Sequence, residues 1–174
     1  QKSESFARWR EETPEGFVFS LKGTRFTTNR RVLAEAGPSI ERFLTSGVTE
    51  LREKLGPINW QFPPTKKYDP DDFEAFLKLL PASVDGHAIR HVVEVRHDSF
   101  KNERFYDLAR QHNAAIVFAY SDEFPAIDEA TADFAYARLM RTKETVKTGY
   151  TPAELARWTK QAKDWAQRGD AFVA

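Results

Sequence analysis

The hydrophobic pattern of this chain switches repeatedly between a period of two residues and a period of about 3.6 residues, and this alternation restricts the possible folds most strongly. Runs rich in β-branched and aromatic residues predict strands at residues 17–22, 58–62, 91–96, 115–120 and 135–139, with a sixth beginning near Ala171. Strands separated by full helices must run parallel, because each connection crosses the sheet. The sequence therefore predicts an α/β fold built from strand–helix units.

Caps and helix breakers set the boundaries of the helices between these strands. A long helical pattern over residues 39–55 is ended by Gly56-Pro57, and Asp69-Pro70 opens the next helix. Asn102 caps a third helix. Thr151-Pro152 starts the last helix, whose predicted inward residues are Leu155, Trp158, Ala162 and Trp165.

Polar residues inside the strands decide between a doubly wound open sheet and a (β/α) barrel. Four strands each carry two polar residues on one face: Ser20 with Lys22, Asn59 with Gln61, Glu94 with Arg96, and Tyr136 with Arg138. Helices covering both faces of an open sheet would bury these groups, whereas in a barrel that face points into the bore. No Gly-x-Gly-x-x-Gly turn follows any strand. We predict a TIM-barrel-like parallel (β/α) barrel, with Trp60 and Phe62 packed against the helices.

The 174 residues are expected to form one domain, 1–174, with a real hydrophobic core, since 41% of them are hydrophobic. Gln1 already lies in a helical pattern, and the chain stops as the sixth strand begins. Six strands are fewer than the eight of a closed barrel. We therefore expect most of one barrel, without its first two strands and the end of its last.

Composition excludes several classes of function. The absence of cysteine removes disulfides, Cys-ligated zinc, iron–sulfur clusters and thiol catalysis. The formal net charge of zero disfavours binding of nucleic acid over the whole surface, but it does not exclude a local basic groove. No apolar run approaches the roughly 20 residues of a membrane span, so no membrane association is predicted and a cytoplasmic location is expected.

Candidate functional residues lie at the C-terminal ends of the strands, where (β/α) barrels carry their active sites. Several cations there surround few carboxylates, which is typical of a site for an anion. The residues placed at this mouth by the predicted strands are Lys22, Arg25, Gln61, Glu94, Arg96, His97, Asp122 and Arg138.

The segment 94–97 has two interpretations. In the functional one, Glu94 is a general acid or base, His97 moves a proton, and Arg96 clamps a phosphate or carboxylate. In the structural one, Glu94 and Arg96 form an ion pair inside the bore, and His97 caps a turn before Asp98-Ser99. The sequence leaves both interpretations open.

Two further strand ends carry candidate ligand-binding groups. Lys22 and Arg25 in a glycine-containing turn could hold an oxyanion, helped by a short helix capped by residues 27–29, or could form an exposed basic loop. Arg30 and Arg31 are expected on a solvated face. Gln61 ends its strand before Pro63-Pro64, which would hold it still as a hydrogen-bonding group.

No cofactor is predicted. A divalent ion held by His97, Glu94 and Asp122 is disfavoured by the neighbouring cations, so no metal ligand is assigned. No serine lies in a Gly-x-Ser-x-Gly elbow, which removes the usual signal of a hydrolase nucleophile.

In order and spacing, several motifs resemble the YecE-like family, domain of unknown function 72. The motifs are Phe17-Val-Phe-Ser-Leu-Lys22, Lys54-Leu-Gly-Pro57, Gln61-Phe-Pro-Pro64, Glu94-Val-Arg96-His97 and Thr131-Ala-Asp-Phe-Ala-Tyr-Ala-Arg138. The resemblance covers almost the whole chain and implies a TIM-barrel-like fold, but it implies no established activity. According to this resemblance, all the candidate residues except Asp122 fall on family motif positions.

The chain departs from the family pattern at two places. Tyr120 stands where many members carry Asp, and Met140-Arg141 stands where many read His-Gly. If those Asp and His groups share a chemistry in the family, this chain has lost or altered it, unless Asp122 compensates.

Three functional hypotheses follow. The leading one is an enzyme, of the acid/base hydrolase or isomerase type, that binds a small anionic ligand with phosphate or carboxylate groups at the mouth of the barrel. The alternative is a non-catalytic module that docks a phosphate backbone or a protein partner. In the third, the polar bore is purely structural.

Overall fold

A computed structural model describes residues 3–174, so Gln1, which the sequence predicts to lie already within a helical pattern, is outside the described residues. The chain forms eight strands within that range. They are β1 (Phe19–Lys22), β2 (Leu55–Gln61), β3 (Ser83–Val84), β4 (His87–Ala88), β5 (His91–Glu94), β6 (Ala115–Tyr120), β7 (Ala135–Leu139) and β8 (Ala171–Val173). Strands β3 and β4 form a small antiparallel hairpin, and the other six form one sheet.

The six-stranded sheet has the topology of a barrel. Its strands are all parallel and lie in chain order, β1-β2-β5-β6-β7-β8, whereas a doubly wound sheet would reverse its order at a switch point. The hydroxyl oxygens of Ser20 on β1 and Tyr136 on β7 are 2.8 Å apart. In a flat sheet these strands would lie roughly 19 Å apart, at about 4.8 Å per strand. The sheet is therefore curled into a half-barrel, and the predicted partial TIM-barrel-like fold is confirmed.

Helices cover the outer face of the sheet. They are α1 (Ser3–Glu12), α2 (Arg25–Thr28), α3 (Gly37–Leu44), α4 (Pro70–Lys78), α5 (Glu103–Gln111) and α6 (Pro152–Ala166), with short 3₁₀ helices at Leu33–Glu35, Val48–Lys54 and Asp98–Phe100. Asp69, Asn102 and Thr151 cap α4, α5 and α6 with their side chains, as predicted. Among residues 3–174, no helix combines the length and the apolar character needed to cross a membrane.

Three local predictions were wrong. The helix expected over 39–55 is broken at Gly47, whose φ of 100° no helix accommodates, and continues only as a 3₁₀ helix before β2 begins at Leu55. The short helix α2 is capped by Thr24, one turn before the residues expected to cap it. Leu155 is 39% exposed, because Trp158 and Trp165 already fill the contact between α6 and the sheet.

The apolar core has two parts, one on each face of the sheet. The outer part packs the helices against the strands and includes Trp60 and Phe62, both fully buried as predicted. The inner part fills the lower bore, the space enclosed by the curled sheet, with Val92, Ala115, Val117, Ala119, Phe134 and Tyr136. The polar residues of the strands lie above this inner part, toward the C-terminal mouth.

Candidate functional site

A single carboxylate, that of Glu94, is the centre of the polar layer in the bore. The register between β2 and β5 places Gln61 beside Glu94, and the Gln61 side chain donates from Nε2 to Glu94 Oε1 at 2.8 Å. Asn59, two residues earlier on the same face of β2, donates from Nδ2 to Glu94 Oε2 at 2.8 Å. Strand alternation thus aims both amides at one acceptor.

Two arginines complete this group, which we call the Glu94 cluster: Asn59, Gln61, Glu94, Arg96 and Arg138. Arg96 donates to Glu94 Oε1 from Nε at 3.1 Å and from Nη2 at 2.8 Å. Arg138, two strands away on β7, donates from Nη1 to Oε1 at 2.8 Å and to Oε2 at 2.9 Å. The curl of the sheet makes this reach possible.

The carboxylate of Glu94 is ionised and fully occupied. Its side chain is 1% exposed and accepts six hydrogen bonds, while a carboxylate offers about four lone-pair sites. Burial raises the pKa of Glu94, but hydrogen bonds from Gln61, Asn59 and Arg96 together with the charge of Arg138 outweigh burial, so the pKa lies below its usual value. No lone pair is left to accept a further proton from a ligand.

The cationic groups of the site are partly exposed and keep unused hydrogen-bond donors. Lys22 is exposed and donates from Nζ to Gln61 Oε1 at 2.7 Å, which fixes the orientation of that amide. Arg96 and Arg138 have side chains 20% and 30% exposed. Within residues 3–174, Arg96 Nη1 and Arg138 Nη2 have no hydrogen-bond partner. Both guanidiniums therefore keep hydrogen-bond donors that no residue in the range 3–174 accepts.

The remaining candidate residues do not touch the Glu94 cluster. His97 Nδ1 accepts from the Ser99 backbone N–H at 3.1 Å and lies 2.9 Å from Ser99 Oγ, which is the capping geometry of the structural interpretation. Asp122 pairs with Arg141 at 3.0 Å. The guanidinium of Arg25 lies over the Phe26 ring, 5.7 Å from its centroid.

No group of three His, Asp or Glu side chains in residues 3–174 is placed to share a metal ion. In particular, the three residues considered for a divalent ion have separate partners: Glu94 bonds to the arginines, His97 to Ser99 and Asp122 to Arg141.

The two departures from the YecE-like pattern contact each other. The Arg141 guanidinium lies 4.8 Å from the centroid of the Tyr120 ring, and the Met140 backbone N–H donates to the Tyr120 carbonyl at 3.0 Å. The Tyr120 ring also packs against Trp158 of α6, with centroids 4.6 Å apart. Tyr120 therefore points outward from the bore, toward α6.

Two residues of the site were not among the candidates. Asn59 was recognised as polar and on the face of Gln61, and that alternation was a sufficient signal to include it. Its Oδ1 is buried without a hydrogen-bond partner in the described part of the chain. The Phe124 ring lies under the Arg96 guanidinium and restrains it; the ring centroid is 4.3 Å from the guanidinium carbon. Phe124 belongs to an irregular segment, so no periodicity pointed to it.

Comparison with known proteins agrees with the fold. Crystal structures of DUF72 family proteins are similar: one from Thermotoga maritima MSB8 has a TM-score of 0.74 at 21% identity, covering 99% of this chain and 72% of that one. Another, from Enterococcus faecalis V583, has a TM-score of 0.73 at 16% identity, covering 99% of this chain and 76% of that one. No curated protein matches the sequence. The model of the family described as protein of unknown function DUF72 matches residues 1–174, so the chain belongs to the DUF72 family, as its motifs indicated.

Proposed function

We propose that this protein binds a small anionic ligand, bearing a phosphate or carboxylate group, at the C-terminal mouth of the half-barrel. The observation that carries the proposal is the charge balance of the site. Lys22, Arg96 and Arg138 supply three positive charges against the one negative charge of Glu94, leaving an excess of two. An incoming anion would neutralise this excess.

In this proposal Glu94 organises the cations. Its carboxylate holds Nε and Nη2 of Arg96 and Nη1 of Arg138, so the remaining donors of both guanidiniums are already oriented before a ligand arrives. The Phe124 ring, stacked under the Arg96 guanidinium, restrains it further. Pre-orientation reduces the entropy that a ligand would otherwise lose in ordering two long side chains.

A reaction on the bound anion, of the acid/base hydrolase or isomerase type, is the second candidate. It is favoured by one observation: the imidazole Nε2 of His97 has no partner within residues 3–174, whereas Nδ1 is fixed by Ser99. A fixed ring with one free nitrogen can transfer a proton. On this reading His97, rather than the fully bonded Glu94, would be the proton-transfer group.

A thermal-shift titration with inorganic phosphate, sugar phosphates and small carboxylates tests anion binding. An anion at a concentration of about 100 Kd should stabilise the protein by about 2.7 kcal/mol, which raises Tm by roughly 5–11 °C for a chain of this size. Arg138→Gln, which should bind at least tenfold more weakly, should reduce the shift to about half or less. The matched control is Arg168→Gln, because Arg168 is exposed and makes no ion pair in the described residues. If no anion shifts Tm, or if both variants shift like the parent, the proposal fails.

The second candidate is tested on the ligand found in that titration. His97→Gln should bind it with unchanged affinity while any turnover, followed by ¹H and ³¹P NMR of the ligand, is lost. A ligand that remains unchanged in the presence of the parent protein would refute the reaction and leave the binding function intact.

A further inference from the structure

A groove of about 310 Å³ lies between α2 and α3, outside the bore. Its apolar walls are Phe26, Pro38 and Phe43, and two arginines, Arg30 and Arg42, stand beside them. None of these residues contacts the Glu94 cluster, so the groove is a separate feature of the molecule. Its volume falls at the lower end of the range for pockets that hold small molecules.

The apolar wall is held open to solvent. Phe26 is 68% exposed, the highest value among the large exposed hydrophobic residues described. Its backbone is fixed, because its carbonyl accepts from Arg30 Nε at 2.8 Å and α2 is capped by Thr24. On the opposite wall Phe43 is half-buried, with its ring edge-on to the core residue Trp60 at 5.6 Å. Phe26 and Phe43 both line the groove and make no ring–ring contact with each other within the described residues, so a flat group can enter between them.

The cations of the groove have unused charge. Arg30 donates only from Nε, and Arg42 makes no ion pair or side-chain hydrogen bond with any residue in the range 3–174. Neither guanidinium therefore has a carboxylate partner, although the chain as a whole carries equal numbers of acidic and basic residues. Guanidinium groups bind carboxylates through paired hydrogen bonds.

We propose that this groove binds a small aromatic carboxylate, with its ring between Phe26 and Phe43 and its carboxylate on Arg30 and Arg42. The combination selects the ligand class. A neutral aromatic compound would leave both guanidiniums unpaired, and a compact anion such as phosphate would leave the rings in water. A ligand with both an aromatic ring and a carboxylate would contact the two phenylalanine rings and pair with the arginines.

Three matched probes test the proposal: 3-phenylpropionate, its neutral analogue 3-phenylpropanamide, and propionate, which lacks the ring. Chemical-shift titrations of the ¹⁵N-labelled full chain give an affinity for each. We expect 3-phenylpropionate to bind about tenfold more tightly than either analogue, since charged hydrogen bonds and ring burial each contribute. The shifted amides should lie in α2 and α3.

Variants assign the binding to this groove. Phe26→Ala and Arg42→Gln should each weaken 3-phenylpropionate binding by about tenfold. Both side chains are exposed, so the fold should persist, and the ¹⁵N spectrum checks this. Arg31→Gln is the matched control, because Arg31 is exposed, next to Arg30, and does not line the groove. It should bind like the parent.

Several results would overturn the proposal. Equal affinities for the three probes, or unchanged binding by Phe26→Ala and Arg42→Gln, would show that the groove is not selective. Loss of binding in Arg138→Gln would place the carboxylate at the mouth of the half-barrel instead. Tighter binding of an acetylated Glu-Phe-Glu peptide than of 3-phenylpropionate would assign the groove to an acidic protein partner.

Discussion

Replacing Glu94 with glutamine should destabilise the protein by about 3 kcal/mol. Removing one partner of a buried charge pair typically costs about 3–5 kcal/mol, because the other charge stays buried without compensation. Here the abandoned partners are two arginines whose side chains are 20% and 30% exposed, so water rehydrates them in part. The lower end of the range is therefore expected. An amide at position 94 also presents an N–H₂ group to donors in place of one oxygen, which removes at least two of the six hydrogen bonds.

Urea unfolding followed by tryptophan fluorescence measures this change. With a slope of about 2 kcal/mol per molar urea, the midpoint of Glu94→Gln should fall by about 1.5 M. Glu74→Gln is the control: Glu74 pairs with Lys78 on the surface of α4, and such pairs contribute less than about 0.5 kcal/mol. A midpoint for Glu94→Gln within about 0.3 M of the parent would show that Glu94 does not hold the cluster together.

The same pair of proteins tests the ionisation of Glu94. Since the pKa of Glu94 is lowered in the folded state, its charged form contributes stability that is present above the unfolded pKa of about 4.5 and lost as the pH falls through the folded pKa. The difference in unfolding free energy between parent and Glu94→Gln should therefore be constant above about pH 5 and shrink below pH 4.5. A difference that grows on acidification would contradict this assignment.

Three further perturbations have defined outcomes. Burial lowers the pKa of His91, and this effect outweighs the raising effect of its hydrogen bond to a backbone carbonyl. Urea unfolding should therefore show that stability falls as the pH drops below about 6.5, and that it falls less steeply in His91→Gln. Gly23→Ala would bring a methyl group into steric overlap with the buried Trp60 ring and should lower Tm by several degrees, whereas the same change at Gly86, which faces open space, should lower it less. Phe124→Ala releases the Arg96 guanidinium and should weaken phosphate binding, measured by calorimetry, by about threefold with little loss of stability.

The sheet could be predicted because its signal is local. Each strand carries its own alternation of apolar and polar residues, and the parallel order follows from the helices between the strands. The hairpin β3–β4 escaped prediction, since two strands of two residues each are too short for any periodicity. The break at Gly47 escaped as well, because the apolar spacing on its two sides continues in phase.

The site was predictable only as a set of residues on one face. Alternation placed Gln61, Glu94, Arg96 and Arg138 in the bore, and the structure brings these four together. What the sequence could not supply was the curvature of the sheet, which decides that Arg138 reaches Glu94 across an intervening strand. His97 follows the end of β5 and caps the next turn through Ser99, so it does not bond to the carboxylate with which the sequence grouped it.

Calorimetric titration of inorganic phosphate into the parent, Arg138→Gln and Arg168→Gln measures whether the excess positive charge around Glu94 forms an anion site. Phosphate should bind the parent and Arg168→Gln with the same affinity, and Arg138→Gln should bind at least tenfold more weakly, because a guanidinium–phosphate hydrogen bond contributes about 1.5–3 kcal/mol. Equal affinities in all three proteins, or no heat of binding in the parent, would contradict an anion site at the mouth of the half-barrel.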